Sequence, residues 1–302
     1  MKHEFIFSGD PTVGNTSKYI QKGRYVALYL VIYGTTDAGQ TLTKEDVGRI
    51  RLTRHGREKQ SETFDFYHDL SDLMGGYPTS TTPAAGASRI VAYIPFQHIR
   101  MPNSMDVQDN QELKIFLNFD AATLATRFGA NPSYFELWGL TADAVPEKYE
   151  LEIYEKNMQP GGAGKLPVEI NESNVIGLYY RDDGGIVSNV NLSRDGETAI
   201  GDVPLEVLKD TTNMMMNLET SGNPLVFINF VPAGNRSNAI SKNITGQIKF
   251  TGSGTLQQTI IRLNEVDAAT NVQRVNEQLN NRYHSIVGNM HSQPAGSFQN
   301  LN

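Results

Sequence analysis

Ile50-Arg51-Leu52-Thr53-Arg54-His55-Gly56 reappears 140 residues further on as Val190-Asn191-Leu192-Ser193-Arg194-Asp195-Gly196. Each copy reads as a strand running into a Gly-containing turn. The downstream elements correspond too. One stretch with helical spacing comes after each turn, at 64–74 and 205–216, and then an apolar strand ending near proline, at 89–96 and 224–232. Two more strands close each half, at 112–119 and 134–140 and then at 245–250 and 257–263. A fixed offset with the same order of elements predicts one unit used twice.

Around these segments, period-two patterning dominates. Residues 25–33, 90–96 and 113–119 are rich in β-branched and aromatic side chains, and 49–54, 148–154, 174–180, 187–193, 225–231 and 246–250 continue the series. Gly, Pro, Asn and Asp separate them, as turns require. The sequence therefore predicts an all-β chain of two similar antiparallel barrels or sandwiches, with short helices in connections. Gln159-Pro160-Gly161-Gly162-Ala163-Gly164 reads as the linker. Beyond Leu263, Val272, Val275 and Leu279 fit one face of a helix to about residue 283, and 288–302 reads as a polar tail.

Composition narrows the function. With 26 basic and 33 acidic residues among 302, the net charge is −7. No Lys/Arg cluster offers the counterion-displacing surface that nucleic-acid binding needs. The absence of cysteine excludes disulfides, a thiolate nucleophile and cysteine-ligated zinc. The longest nearly apolar run, 25–33, is nine residues, against roughly 20 for a membrane-spanning helix. The first ten residues lack an apolar core and meet an acid early, so no secretory signal is expected there.

Motifs for chemistry are weak. Gly161 to Lys165 suggests a phosphate loop, but Leu166 stands where Ser or Thr should bind magnesium and Gln159 where the first Gly should be. Glu150, Glu152 and Glu155 are the sharpest catalytic candidates, since closely spaced carboxylates on a strand can form the acid and nucleophile of a retaining glycosidase. Their spacing resembles the active-site strand of laminarinase-like jelly-roll glycosidases, although those have Asp at the middle position and clefts rich in Trp. This chain has one Trp. His3, His55, His68, His98, His284 and His291 are scattered without metal-ligand spacing. No Gly-x-Ser-x-Gly elbow occurs. Asp182-Asp183-Gly184-Gly185 reads as a hairpin turn with too few oxygens for calcium. Met214, Met215 and Met216 are expected to pack a helix on the second barrel, with a lipid-facing or partner-facing patch as the alternative.

Tandem barrels, each with a strand-turn-helix segment and without a catalytic constellation, resemble the double jelly-roll major capsid proteins of tailless, membrane-containing icosahedral bacteriophages. Within that family the resemblance is to the small members, such as those of corticoviruses and of the lipid-containing single-stranded DNA phages of Flavobacterium. It covers about residues 17–265 and rests on element order and on the pair 50–56 and 190–196. It implies an N-terminal arm over 1–16, jelly-roll barrels over 17–158 and 167–265, and a C-terminal helix and arm over 266–302. It further implies a non-enzymatic capsid subunit of the virion, made in the host cytoplasm, with no catalytic residue, cofactor or metal. Three copies would give six similar barrels and a near-hexagonal homotrimer. The expected partners are further copies of the chain, penton or minor capsid proteins, and an internal membrane met by terminal arms. Lys2, Lys18, Lys22 and Arg24 are the basic candidates for that contact, and specific nucleic-acid binding is not expected. The alternatives are a carbohydrate-active β-sandwich using Glu150, Glu152 and Glu155, and a non-catalytic glycan-binding module.

Overall fold

Both copies of the repeated heptapeptide end in the same turn. His55 and Gly56 have φ of 50° and 76°, and Asp195 and Gly196 have 50° and 88°. Both central residues are thus left-handed, the type I′ geometry that matches the twist of a two-residue hairpin. The computed structural model describes residues 1–73, 80–81, 87–97, 103–142, 144–216, 224–230 and 243–265.

The first repeat contains β1 (Lys2–Gly9), β2 (Thr16–Tyr19), β3 (Gly23–Thr35), β4 (Gly48–Arg54) and β5 (Arg57–Thr63). Helix α1 (Phe64–Leu73) precedes β6 (Ser80–Thr81), β7 (Ala87–Pro95), β8 (Met105–Val107) and β9 (Leu113–Phe119), and α2 (Ala121–Phe128) leads to β10 (Ser133–Thr141). The second repeat contains β11 (Tyr149–Glu155), β12 (Gly164–Ile170), β13 (Val175–Arg181), β14 (Val187–Arg194) and β15 (Glu197–Pro204). It continues with α3 (Leu205–Met216), β16 (Leu225–Asn229), β17 (Ile244–Phe250) and β18 (Gln257–Glu265).

Pairing repeats with the sequence. Strand β4 pairs antiparallel with β5 and β9 as β14 pairs with β15 and β17. Strand β3 lies between β7 and β10 as β13 lies between β16 and β18. Single hydrogen bonds are duplicated as well. The His55 amide donates to the Glu112 carbonyl at 2.8 Å and the Asp195 amide to the Asn243 carbonyl at 2.9 Å. The Phe96 amide donates to Val26 at 3.0 Å and the Phe230 amide to Ile176 at 2.9 Å. Each repeat is a sandwich built on two runs of four strands, ordered β1-β10-β3-β7 over β2-β9-β4-β5, and β11-β18-β13-β16 over β12-β17-β14-β15, with β6 and β8 added to the first run by pairing with β7 and β3.

The repeats share a sheet. Strands β5 and β11 run parallel, with Ile153 opposite Gln60 and Tyr154 opposite Ser61, so the order β16-β13-β18-β11-β5-β4-β9-β2 is continuous. Side chains of β13 alternate between two cores: Leu178 and Tyr180 enter the second barrel, while Ile176 and Tyr179 face the first. Helix α1 covers this outer face, with the Phe66 ring edge-on to Tyr179 at 5.6 Å and Tyr179 stacked on Phe227 at 4.6 Å. Burial on both faces explains why β13 is apolar without a clean alternation.

Residues 2–9, expected in an arm, instead form β1, because Phe5 and Phe7 pair opposite Trp138 and Leu137 of β10. Strand β11, expected within the first barrel, lies between β5 of the first repeat and β18 of the second, with Tyr149, Leu151 and Ile153 in the first core. In that linker Met158 and Gly161 bridge to Leu256 and Ser253, and β12 begins at Gly164. The helices expected at 64–74 and 205–216 are present as α1 and α3. The C-terminal helix and tail expected over 266–302 lie outside the described residues, as do the side chains of Met214 to Met216.

The Phe66 contact should carry much of the adhesion between the barrels. Phe66→Ala is expected to lower unfolding free energy by about 3–5 kcal/mol, read as a fall in the urea midpoint. A change within about 0.5 kcal/mol, typical of a surface site, would show that α1 does not bind the repeats together.

Candidate functional site

A network of ion pairs lies where the repeats meet. Strand β11 turns Tyr149, Leu151 and Ile153 into the core and presents Glu150 and Glu152 on the other side. Glu150 lies 2.9 Å from Arg54 Nη1 and 2.7 Å from Lys59 Nζ. Glu152 lies 3.0 Å from Lys59 Nζ and 3.5 Å from Arg262 Nη1, while Glu155 binds Arg49. All three sequence candidates are therefore brought to one seam, each opposite a cation. Burial pushes Glu150 up, but hydrogen bonds and charges from Lys59 and Arg54 outweigh it and hold the carboxyl below its ordinary value. A general acid of a retaining pair needs the opposite shift.

Arg54 is the centre of this network. Its side chain is 1% exposed and its Nε donates to Glu112 at 2.6 Å, Nη1 binds Glu147 and Glu150, and Nη2 donates to the Asp106 carbonyl at 3.1 Å. Burial opposes its charge, yet Glu147, Glu112 and Glu150 reverse that and hold the guanidinium more firmly protonated than a free one. The rigid fork of arginine suits such multiple acceptors. Its repeat counterpart, Arg194, likewise donates to a backbone carbonyl, that of Phe230 at 3.0 Å. Elsewhere between the repeats, Arg181 of β13 binds Asp65 of α1 and approaches Asp69 at 3.4 Å.

Glu62 of β5 is fully buried. It accepts from Thr259 Oγ1 at 2.6 Å and Gln257 Nε2 at 3.4 Å on β18. Burial pushes its carboxyl up to about 8, the nearby Glu155 charge adding to this while Thr259 and Arg49 oppose it.

A second feature lies on the outer face of β1, β10 and β3. Tyr29 stacks on Trp138 with rings 4° from parallel, and Phe5 meets Trp138 edge-on at 5.3 Å. Glu136 accepts from Tyr33 Oη at 2.8 Å and Trp138 Nε1 at 2.9 Å. Tyr29, Tyr33 and Trp138, with Glu136 and Arg89, line an open groove of about 630 Å³.

The other candidates separate. His3 bonds Tyr29 Oη at 2.7 Å, His55 lies 3.5 Å from Glu112 and His68 3.4 Å from Asp69. His98, His284 and His291 are outside the described residues. Among the described residues no group of three His, Asp or Glu could hold a metal. Asp182 caps its turn by accepting from the Ile186 and Val187 amides. Lys165 lies in β12 opposite Lys249, so no helix comes after the glycines as a phosphate loop requires. Lys2 and Lys18 lie on β1 and β2, Lys22 is exposed, and Arg24 pairs with Asp106 at 3.1 Å. Sequence reasoning missed the Arg54 and Glu62 networks, although Arg54 and Arg194 stood at one position of the repeat and were a usable signal.

Two barrels with this strand order define a double jelly-roll protein. The fold is similar to the major capsid protein P2 from Bacteriophage PM2, with a TM-score of 0.61 and 11% identity over 87% of this chain and 97% of that one. It is also similar to the STIV MCP, with a TM-score of 0.62 and 9% identity over 89% and 96%, and to the PBCV-1 virus capsid, with 0.61 and 8% over 87% and 92%. No family model matches the sequence, and no curated protein matches it.

Glu62 makes stability depend on pH. With a folded value near 8 and an ordinary one near 4.5, the native state binds more protons than the unfolded state between those values, so stability falls as pH rises through that window. Glu62→Gln keeps an acceptor for Thr259 and should flatten the fall, leaving the variant more stable than the parent above pH 8. Urea midpoints across pH 5–9 test this; parallel curves would place the proton elsewhere.

Proposed function

We propose that the protein is the major capsid protein of an icosahedral virus, a structural subunit whose homotrimers form pseudo-hexameric capsomers. The observation that carries the reading is one strand order used twice in one chain, down to matching single hydrogen bonds. Three such chains supply six similar barrels, so a threefold oligomer gains the hexagonal outline that tiles a shell. Similarity of fold to three viral capsid proteins supports it. The barrels divide between β10 and β11 in this reading, and the protein resides in the virion after synthesis in the host cytoplasm. Its partners are other copies and penton or minor capsid proteins.

No catalytic step falls to Glu150, Glu152 or Glu155 in this reading, since their cations make them parts of a structural seam. The carbohydrate-active alternative is not favoured for the same reason.

Light scattering behind a sizing column tests the proposal. A species three times the 33.4 kDa chain mass, forming sheets or shells at higher concentration, is expected; a monomer at all concentrations would overturn it. A membrane beneath the shell belongs to the same reading and rests on Lys2, Lys18 and Lys22, each worth about 1 kcal/mol near an anionic surface. Sedimentation with vesicles of anionic phospholipid should be strong at low salt and lost at high salt. Equal recovery with neutral vesicles, or none with either, would remove the membrane from the proposal.

A further inference from the structure

The seam inside the chain has an unused copy of each of its halves. Within the chain, β5 at the end of one four-stranded sheet joins β11 at the start of the next barrel, and α1 lies on the outer face of β13 and β16. The counterparts of β5 and α1 are β15 and α3, and those of β11 and β13 are β1 and β3. Among the described residues, β15 and β1 are each the last strand of their sheets. All but two residues of β15 are exposed, where alternate residues of β5 are buried.

The shared hydrogen bonds also set residue-level matches. Tyr29 stands three residues after Val26 as Tyr179 stands three after Ile176, and both tyrosines point out of their own barrel. Phe66, the third residue of α1, covers Tyr179. Val207, the third residue of α3, is 50% exposed. Asp65, the second residue of α1, binds Arg181, while its counterpart Glu206 is exposed and Arg89 lines the groove beside Tyr29. Phe5 of β1, at 48% exposure, adds apolar surface on the receiving side.

We infer that a second copy of this chain docks on the outer face of β1, β10 and β3, placing its β15 alongside β1 and its Val207 against Tyr29. The contact is head-to-tail, since the two surfaces differ, and such contacts close into a ring or run on as a filament. Closure at three copies rests on the capsomer reading. An exposed sheet edge beside an aromatic groove needs cover, and a copy of the element that already covers its twin fits by construction.

The chain has no cysteine, so Val207→Cys combined with Tyr29→Cys introduces the only two thiols. Treated with a short bismaleimide, this protein should give covalent dimers and trimers, and either single variant should give neither. Val207→Asp, at an exposed position, should keep the circular dichroism of the parent while the apparent mass falls threefold. If the parent is trimeric and these variants neither crosslink nor dissociate, the surfaces are wrong and the capsomer reading stands. If the parent is monomeric, both fail. A monomer whose Trp138 fluorescence shifts with soluble β-glucan would give the aromatic face to a sugar instead.

Discussion

The sheet formed by β11, β18, β13 and β16 is packed on both sides, and the rest of the molecule is arranged around that fact. One side closes the second barrel through Leu178, Tyr180, Val226 and Ile228, and the other lies against α1 through Tyr179 and Phe227. A strand with water on neither side must be apolar on both faces and must find every backbone partner within the protein. Strand β13 meets both demands by lying between β16 and β18. The parallel joint of β5 and β11 then extends the sheet, so the barrels cannot turn relative to each other without breaking main-chain hydrogen bonds.

Ion pairs at the joint are a product of that geometry. Strand β5 must present alternate residues to a neighbouring barrel, and its Lys59 and Glu62 reach β11 and β18. Removing one partner of a buried pair leaves an uncompensated charge, which costs more than the pair itself contributes. Such a network adds little to net stability. The aromatic contacts of α1 with β13 lie beside these charges.

Much of the architecture was legible because the duplication left the same punctuation twice. The residues Arg54-His55-Gly56 and Arg194-Asp195-Gly196 carry an arginine that ties the strand end to a carbonyl and a turn that needs left-handed backbone. Apolar strands such as β3 and β13 announced themselves. Strands β5 and β15, Arg57–Thr63 and Glu197–Pro204, did not, because one is charged for a joint between barrels and the other is mostly exposed. Glu150, Glu152 and Glu155 were found as a cluster, but their cations come from β4, β5 and β18, far away in sequence. Only the fold reveals that they are neutralised. The outer face of Tyr29 and Trp138 was invisible for a related reason: alternation marks a sheet's inner side, and a second aromatic side reads simply as more strand.

The position of β18 has a temporal consequence. It lies between β13 and β11, so the sheet that joins the barrels has a gap until the strand ending at Glu265 is available. During synthesis the first barrel can complete β1-β10-β3 by residue 141, whereas the joint waits for β18, made after β11 and β13, and pairing at such sequence separation is slow. A nascent chain on the ribosome therefore holds a finished barrel while its shared sheet stays open. Synthesis itself delays the rigid two-barrel form until β18 has emerged.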